Sequence, residues 1–137
     1  MDSLTKKARS VLMAKVRSRG NRSTEVQLRL ALVRAGIVGW KLHPKSVLGQ
    51  PDFWFPQQQV ALFVDGCFWH GCERCLRLPK GNRRYWRNKI SGNVNRATLI
   101  NRKLRSFGIK VMRFWEHDVK NPRTLERLIT TVQRRVG

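Results

Sequence analysis

Hydrophobic and polar positions follow two rhythms along this chain, and the changes of rhythm mark its elements. In residues 3–18, SLTKKARSVLMAKVRS, the apolar positions Leu4, Ala8, Val11, Leu12 and Val16 recur every three to four residues, which predicts a helix. Its other side is basic and carries Met13, so residues 1–20 read equally as an arm that orders on a polyanion. The stretch RGNRS then interrupts the pattern. Thr24 with Gln27 forms a capping box opening a second helix, EVQLRLALVRAG, which Gly36 closes. Glu25 falls in that helix's first turn, where the helix dipole favours a carboxylate.

The period then shortens to that of strands. VGWKLH, DFWFP and VALFVD are rich in β-branched and aromatic residues; Gly49 and Pro51 separate the first two, and PQQQ makes a hairpin-like turn before the third. From Asn82 to Gly108 the helical period returns, with Val94, Ala97, Ile100, Leu104 and Phe107 on its apolar side and a break predicted at Ser91-Gly92. IKVMRFWE is a further strand, and Asn121-Pro122 caps a last helix, RTLERLITTVQRRV. The order is ααβββααβα without internal repeats. It predicts an α/β fold in a single domain, a mixed central β-sheet flanked by helices on both faces.

Composition adds a partner. The chain has 137 residues, of which 41% are hydrophobic, enough for one compact core. Twenty-nine Lys and Arg stand against eight acids, a net charge of +21. So lopsided a balance exceeds what a solvated surface needs and points to a polyanion. Nucleic acid fits better than a membrane surface, because no basic amphipathic anchor or lipidation signal stands out. The longest apolar runs, such as VALFV, are strand-sized, so no signal peptide or spanning segment is predicted. The expectation is a cytoplasmic protein, nucleoid-associated through DNA binding.

All three cysteines lie in VDGCFWHGCERC, residues 64–75. In a reducing compartment an odd, clustered set reads as metal ligands rather than disulfides. Cys67, Cys72 and Cys75 offer three thiolates, and a structural zinc needs a fourth ligand from His43, His70 or His117. His117 follows a strand and sits at its end, a position suited to meeting the loop.

The acids suggest chemistry. Asp52 opens one predicted strand and Asp65 closes the next, so on neighbouring strands both reach one sheet edge. Paired carboxylates there suit magnesium, which phosphodiester hydrolysis uses to stabilise charge and activate water. Glu25 is placed to orient that water, and His70 to act as general acid or base. A Pro-Asp pair taken alone is ordinary turn chemistry; two acids at adjacent strand ends of so basic a chain are less easily dismissed.

Five tryptophans complete the inventory. Trp54 and Trp115 fall in strands and are assigned to the core. Phe68 and Trp69 precede a metal-held turn near the surface, where an apolar wedge opens a base step. Trp86 stands among Arg83, Arg84, Arg87 and Lys89, as a DNA-facing aromatic would. Lys89, Asn93 and Arg96 share a helix face and are candidates for phosphate or base-edge contacts.

In their order, RSVLMAKVRSRGNRSTE, GQPDF, FVDGCFWHGC, YWRNKISGNVNR and VMRFWEHD resemble the very-short-patch repair (Vsr) mismatch endonucleases, within the PD-(D/E)-x-K nuclease group. The resemblance runs over residues 8–120. It implies a restriction-endonuclease-like fold over residues 21–137, a structural zinc, and magnesium-dependent nicking of double-stranded DNA 5′ of the T in a T:G mismatch. By the same resemblance Asp52 is the metal-binding catalytic aspartate, His70 the catalytic histidine and Glu25 an acid linked to the active site. Phe68, Trp69 and Trp86 match wedging aromatics, and Cys67, Cys72, Cys75 and His117 fall at or beside the zinc ligands.

The chain also departs from that family. Its best-known members have His at the position of Asp65, Cys at that of His117 and Asp at that of Ala97. The lysine usual in the wider nuclease pattern is replaced by Cys67, and the loop is one residue longer before its last cysteine. A restriction-type or damage-specific endonuclease on the same fold is therefore the second reading, and a non-enzymatic zinc-containing DNA-binding module the third. A mismatch-repair protein is a candidate partner. One nick needs one active site, so a monomer is expected.

Overall fold

The computed structural model describes residues 24–67, 71, 72, 78 and 80–135. The predicted first helix, Met13 with it, lies outside them, as do Phe68, Trp69, His70 and Cys75. The first described element, α1, is helical over residues 24–34. Thr24 is already helical and buried, so the helix is under way at the residue expected to cap it. Its end matches the expectation: Gly36 takes φ +74°, and the Ile37 and Gly36 N–H groups donate to the Leu32 and Val33 carbonyls at 3.0 Å each. That Schellman closure brings Ile37 back onto Leu32, both buried in one core cluster.

Four strands follow: β1 (Lys41–Leu42), β2 (Phe53–Phe55), β3 (Val60–Asp65) and β4 (Lys110–Trp115). They form one mixed sheet in the order β1-β2-β3-β4. β2 and β3 are an antiparallel hairpin with Phe53 opposite Leu62. β4 runs parallel to β3, with Asp65 opposite Trp115. β1 is shorter than VGWKLH suggests because left-handed residues bracket it, Gly39 at φ +84° and His43 at φ +45°, which pleated pairing excludes. The hairpin turns through residues 56–59, where the Gln59 side-chain amide donates to the Pro56 carbonyl at 2.7 Å.

The crossover from β3 to β4 carries one uninterrupted helix, α2 (Arg83–Ser106), rather than the two predicted. Glycine inside a helix costs only about 1 kcal/mol relative to alanine. Gly92 cannot by itself break a segment anchored by buried Trp86 and Ile90 before it and Leu104 after it. A second Schellman closure ends α2, with Gly108 at φ +81° and the Ile109 N–H donating to Leu104 at 3.2 Å. A short 3-10 turn, Glu116–Lys120, leads to α3 (Pro122–Arg134), whose Asn121 cap accepts from the Arg123 N–H at 3.0 Å, as the sequence predicts.

Strand alternation sorts the core to two sides. Phe53, Phe55, Val60, Leu62, Met112 and Phe114 face Leu28 and Leu32 of α1 and Leu128 and Val132 of α3. Trp54, Ala61, Phe63 and Val111 face Leu104 of α2. Helices cover both faces, and β3, buried on both, reads as a continuous apolar run. Each fully buried large side chain contributes about 1.5–3 kcal/mol, enough to hold the sheet ends that carry the acids.

Candidate active site and metal centre

Three acids arrive at one end of the sheet from three elements. Asp52 immediately precedes β2, Asp65 closes β3, and Glu25 comes from the first turns of α1. The β2–β3 pairing brings Asp52 beside the end of β3, where its Oδ2 accepts from the Val64 N–H at 2.7 Å. Burial, with the like charges of Asp65 and Glu25, pushes the Asp52 carboxyl above its usual range; the Val64 N–H and His43 pull the other way. Such a carboxylate gains most from a cation, and its oxygens are hard donors of the kind magnesium takes.

His43 belongs to this group. Its Nε2 lies 3.5 Å from Glu25 Oε2, and its Nδ1 lies 3.7 Å from Asp52 Oδ1. The sequence reading had it only as a candidate zinc ligand; the structure places it between two acids instead. Its left-handed backbone and its place just before the GQPDF segment were the available signals, and neither names a role without the fold.

Asp65 is more enclosed, its side chain 12% exposed, and its Oδ1 accepts from Arg113 Nη1 at 2.7 Å. A cleft of about 520 Å³ opens over these residues, with Asn93, Arg96 and Ala97 of α2 along its other wall. Arg96 donates to the Asn93 side-chain oxygen. Lys89 is exposed earlier on the same helix. The predicted polar face of α2 thus borders the acids. Trp86 does not join it: at 1% exposure it is core, packed edge-on to Tyr85 at 5.0 Å, and cannot face DNA in this conformation. Basic neighbours in sequence pointed outward, while helical phase turned the indole inward. Trp54 is buried as expected, and Trp115 is half-buried.

The sulfur loop follows β3 directly. The Cys72 N–H donates to the Cys67 carbonyl at 2.9 Å. His117, on the 3-10 turn after β4, brings Nδ1 to 3.3 Å from Cys67 Sγ and 3.9 Å from Cys72 Sγ. All three donor atoms lie within 4.8 Å of one another. Zinc bonds of about 2.3 Å to sulfur and 2.0 Å to nitrogen place tetrahedral ligands about 3.6 Å apart, between the two observed separations. Soft thiolates with an imidazole fit zinc, and Cys75 falls outside the described residues. Asp118 Oδ1 lies 3.3 Å from His117 Nε2, the kind of partner that fixes a ligand's tautomer. Gly71, at φ +70°, leaves no room for a side chain, since a Cβ there would sit 2.9 Å from Ile90 of α2. Gly71 therefore lies against the helix that walls the cleft.

Residues 1–76 match the family model described as DNA mismatch endonuclease Vsr. The type II nicking enzyme V.NmeDIP of Neisseria meningitidis serogroup C is 38% identical over 121 residues, spanning 87% of this chain and 80% of that one. The type II nicking enzyme V.HpaIIP of Haemophilus parainfluenzae is 36% identical over 126 residues, with 89% and 88% covered. The DNA mismatch endonuclease Vsr of Escherichia coli K12 is 30% identical over 103 residues, with 74% and 66% covered.

Proposed function

This chain belongs to the Vsr family, and on that premise we propose that it is a DNA endonuclease nicking double-stranded DNA 5′ of the T in a T:G mismatch, with magnesium. The observation that carries the reading is the convergence of Asp52 and Asp65 in one cleft under the polar face of α2, with Glu25 joined to Asp52 through His43. It supports a restriction-endonuclease-like reading of the mixed sheet, with a candidate hard-cation site beside Arg96 of α2.

In this reading Asp52 is the principal magnesium ligand, with Asp65 beside it, and Glu25 is held towards Asp52 by His43. Magnesium supplies charge stabilisation for the transition state and activation of the attacking water. His70 gives or takes the proton, a role resting on the family resemblance alone. Lys89, Asn93 and Arg96 hold the strand by its phosphates and base edges. Phe68 and Trp69 supply wedges, and Met13 belongs to a basic DNA-binding arm. Unstacking a base step costs a few kcal/mol and less at a mismatch, which favours the mismatched site. Cys67, Cys72, Cys75 and His117 would hold a structural zinc, which would tie down the segment that carries Phe68, Trp69 and His70.

The test is magnesium-dependent nicking of a T:G duplex by wild type and by Asp52→Asn. Nicking lost in the variant, with duplex affinity retained, is the expected result. Equal cleavage by both would remove Asp52 from the mechanism, and absence of nicking by wild type on any duplex would favour a DNA-binding module.

A further inference from the structure

The nuclease pattern calls for a lysine two residues beyond Asp65, and Cys67 stands there, its sulfur 3.3 Å from His117. The site nevertheless contains a cation, delivered from the neighbouring strand. In the parallel β3–β4 pairing Arg113 lies opposite Phe63, and Trp115 lies opposite Asp65. Arg113 and Asp65 therefore share the α2 face of the sheet, two rungs apart. The guanidinium is fixed on three sides. Nη1 donates to Asp65 Oδ1 at 2.7 Å, Nε donates to Asn101 Oδ1 of α2 at 2.6 Å, and Cζ lies over the Phe63 ring, 4.1 Å from its centroid.

A surface arginine guarding an edge strand would wave in water; this one is 17% exposed and borders the cleft. A planar fork held by hydrogen bonds and an aromatic face is the arrangement for which lysine cannot substitute. We propose that Arg113 is a positioning residue of the active site: it fixes the Asp65 carboxylate at the cleft floor and allows a third acid beside Asp52. The inference rests on the endonuclease reading above and assigns the cation that reading leaves open at Cys67.

The experiment compares wild type, Arg113→Gln, Arg113→Lys and the double variant Asp65→Asn/Arg113→Gln. It measures turnover at saturating T:G duplex and magnesium, duplex affinity without magnesium, and melting temperature. Arg113→Gln should lose turnover on the order of a hundredfold, the effect of misplacing a reacting group by about an ångström. Its duplex affinity should stay at the wild-type value. Arg113→Lys keeps the charge without the fork and should recover only part of the turnover. The double variant leaves no charge unpaired, so its melting temperature should recover while turnover stays low. A double variant turning over at the wild-type rate would reduce the pair to a structural contact and overturn the proposal. So would an Arg113→Gln whose turnover falls only with its folded fraction. Wild type unable to nick any duplex would instead sink the endonuclease reading, and this inference with it.

Discussion

Loss of zinc should register as a defined slope in thermal stability. Cys67, Cys72 and His117 gather their donor atoms within 4.8 Å, the geometry of one candidate site among the described residues. A ligand that binds only the folded state at one site stabilises it by about 1.4 kcal/mol for each tenfold rise in free ligand above its dissociation constant. For 137 residues, an unfolding entropy of roughly 2.1 cal/mol/K per residue sums to about 0.29 kcal/mol/K. The melting temperature should therefore climb about 5 °C per decade of buffered free zinc, whatever the affinity. Scanning fluorimetry across zinc buffers reads this slope. Cys72→Ala removes a buried ligand and should flatten it in the same range. Protein purified without added metal should also hold one zinc per chain. A melting temperature flat across zinc buffers, with thiols that titrate freely in the folded state, would refute the site.

Two further outcomes follow from the charges. Asp52→Asn should make the protein without magnesium more stable than wild type at neutral pH. Burial raises the native carboxyl's pKa, so wild type loses stability as pH rises from the unfolded value through the native one. Urea unfolding of both proteins should show the gap closing towards acid pH; a constant gap would contradict the burial argument. Duplex binding should weaken steeply with salt, with a log–log slope steeper than about −4, since each neutralised phosphate contributes about −0.9. Near-constant affinity from low to physiological salt would leave the +21 charge unexplained by DNA.

The fold was largely legible because its elements are local. Gly36 and Gly108 end helices by their backbone freedom, Asn121-Pro122 starts one, and the continuous apolar run of β3 marks a central strand. The break assigned to Gly92 failed because a glycine's small penalty is outweighed by core contacts on either side. The proximity of Asp52 and Asp65 was legible from strand order alone, since a hairpin places the start of one strand beside the end of the next. The contacts of His43 and Arg113 were not, because they form across the sheet and to α1 and α2. Trp86 was misread because neighbouring charges say nothing about helical phase. Among the described residues no helix is long and apolar enough to cross a membrane.

The most direct test of the account is the nicking rate on a duplex with one T:G pair against the fully paired duplex of otherwise identical sequence, in several flanking contexts and with magnesium. On the proposed reading Phe68 and Trp69 would enter the stack where pairing is already weak, and a matched pair would add an unstacking cost of a few kcal/mol, a preference on the order of a hundredfold. The account predicts a single nick 5′ of the mismatched T at that preference. Equal rates in every context, or double-strand cleavage at a matched site, would contradict it.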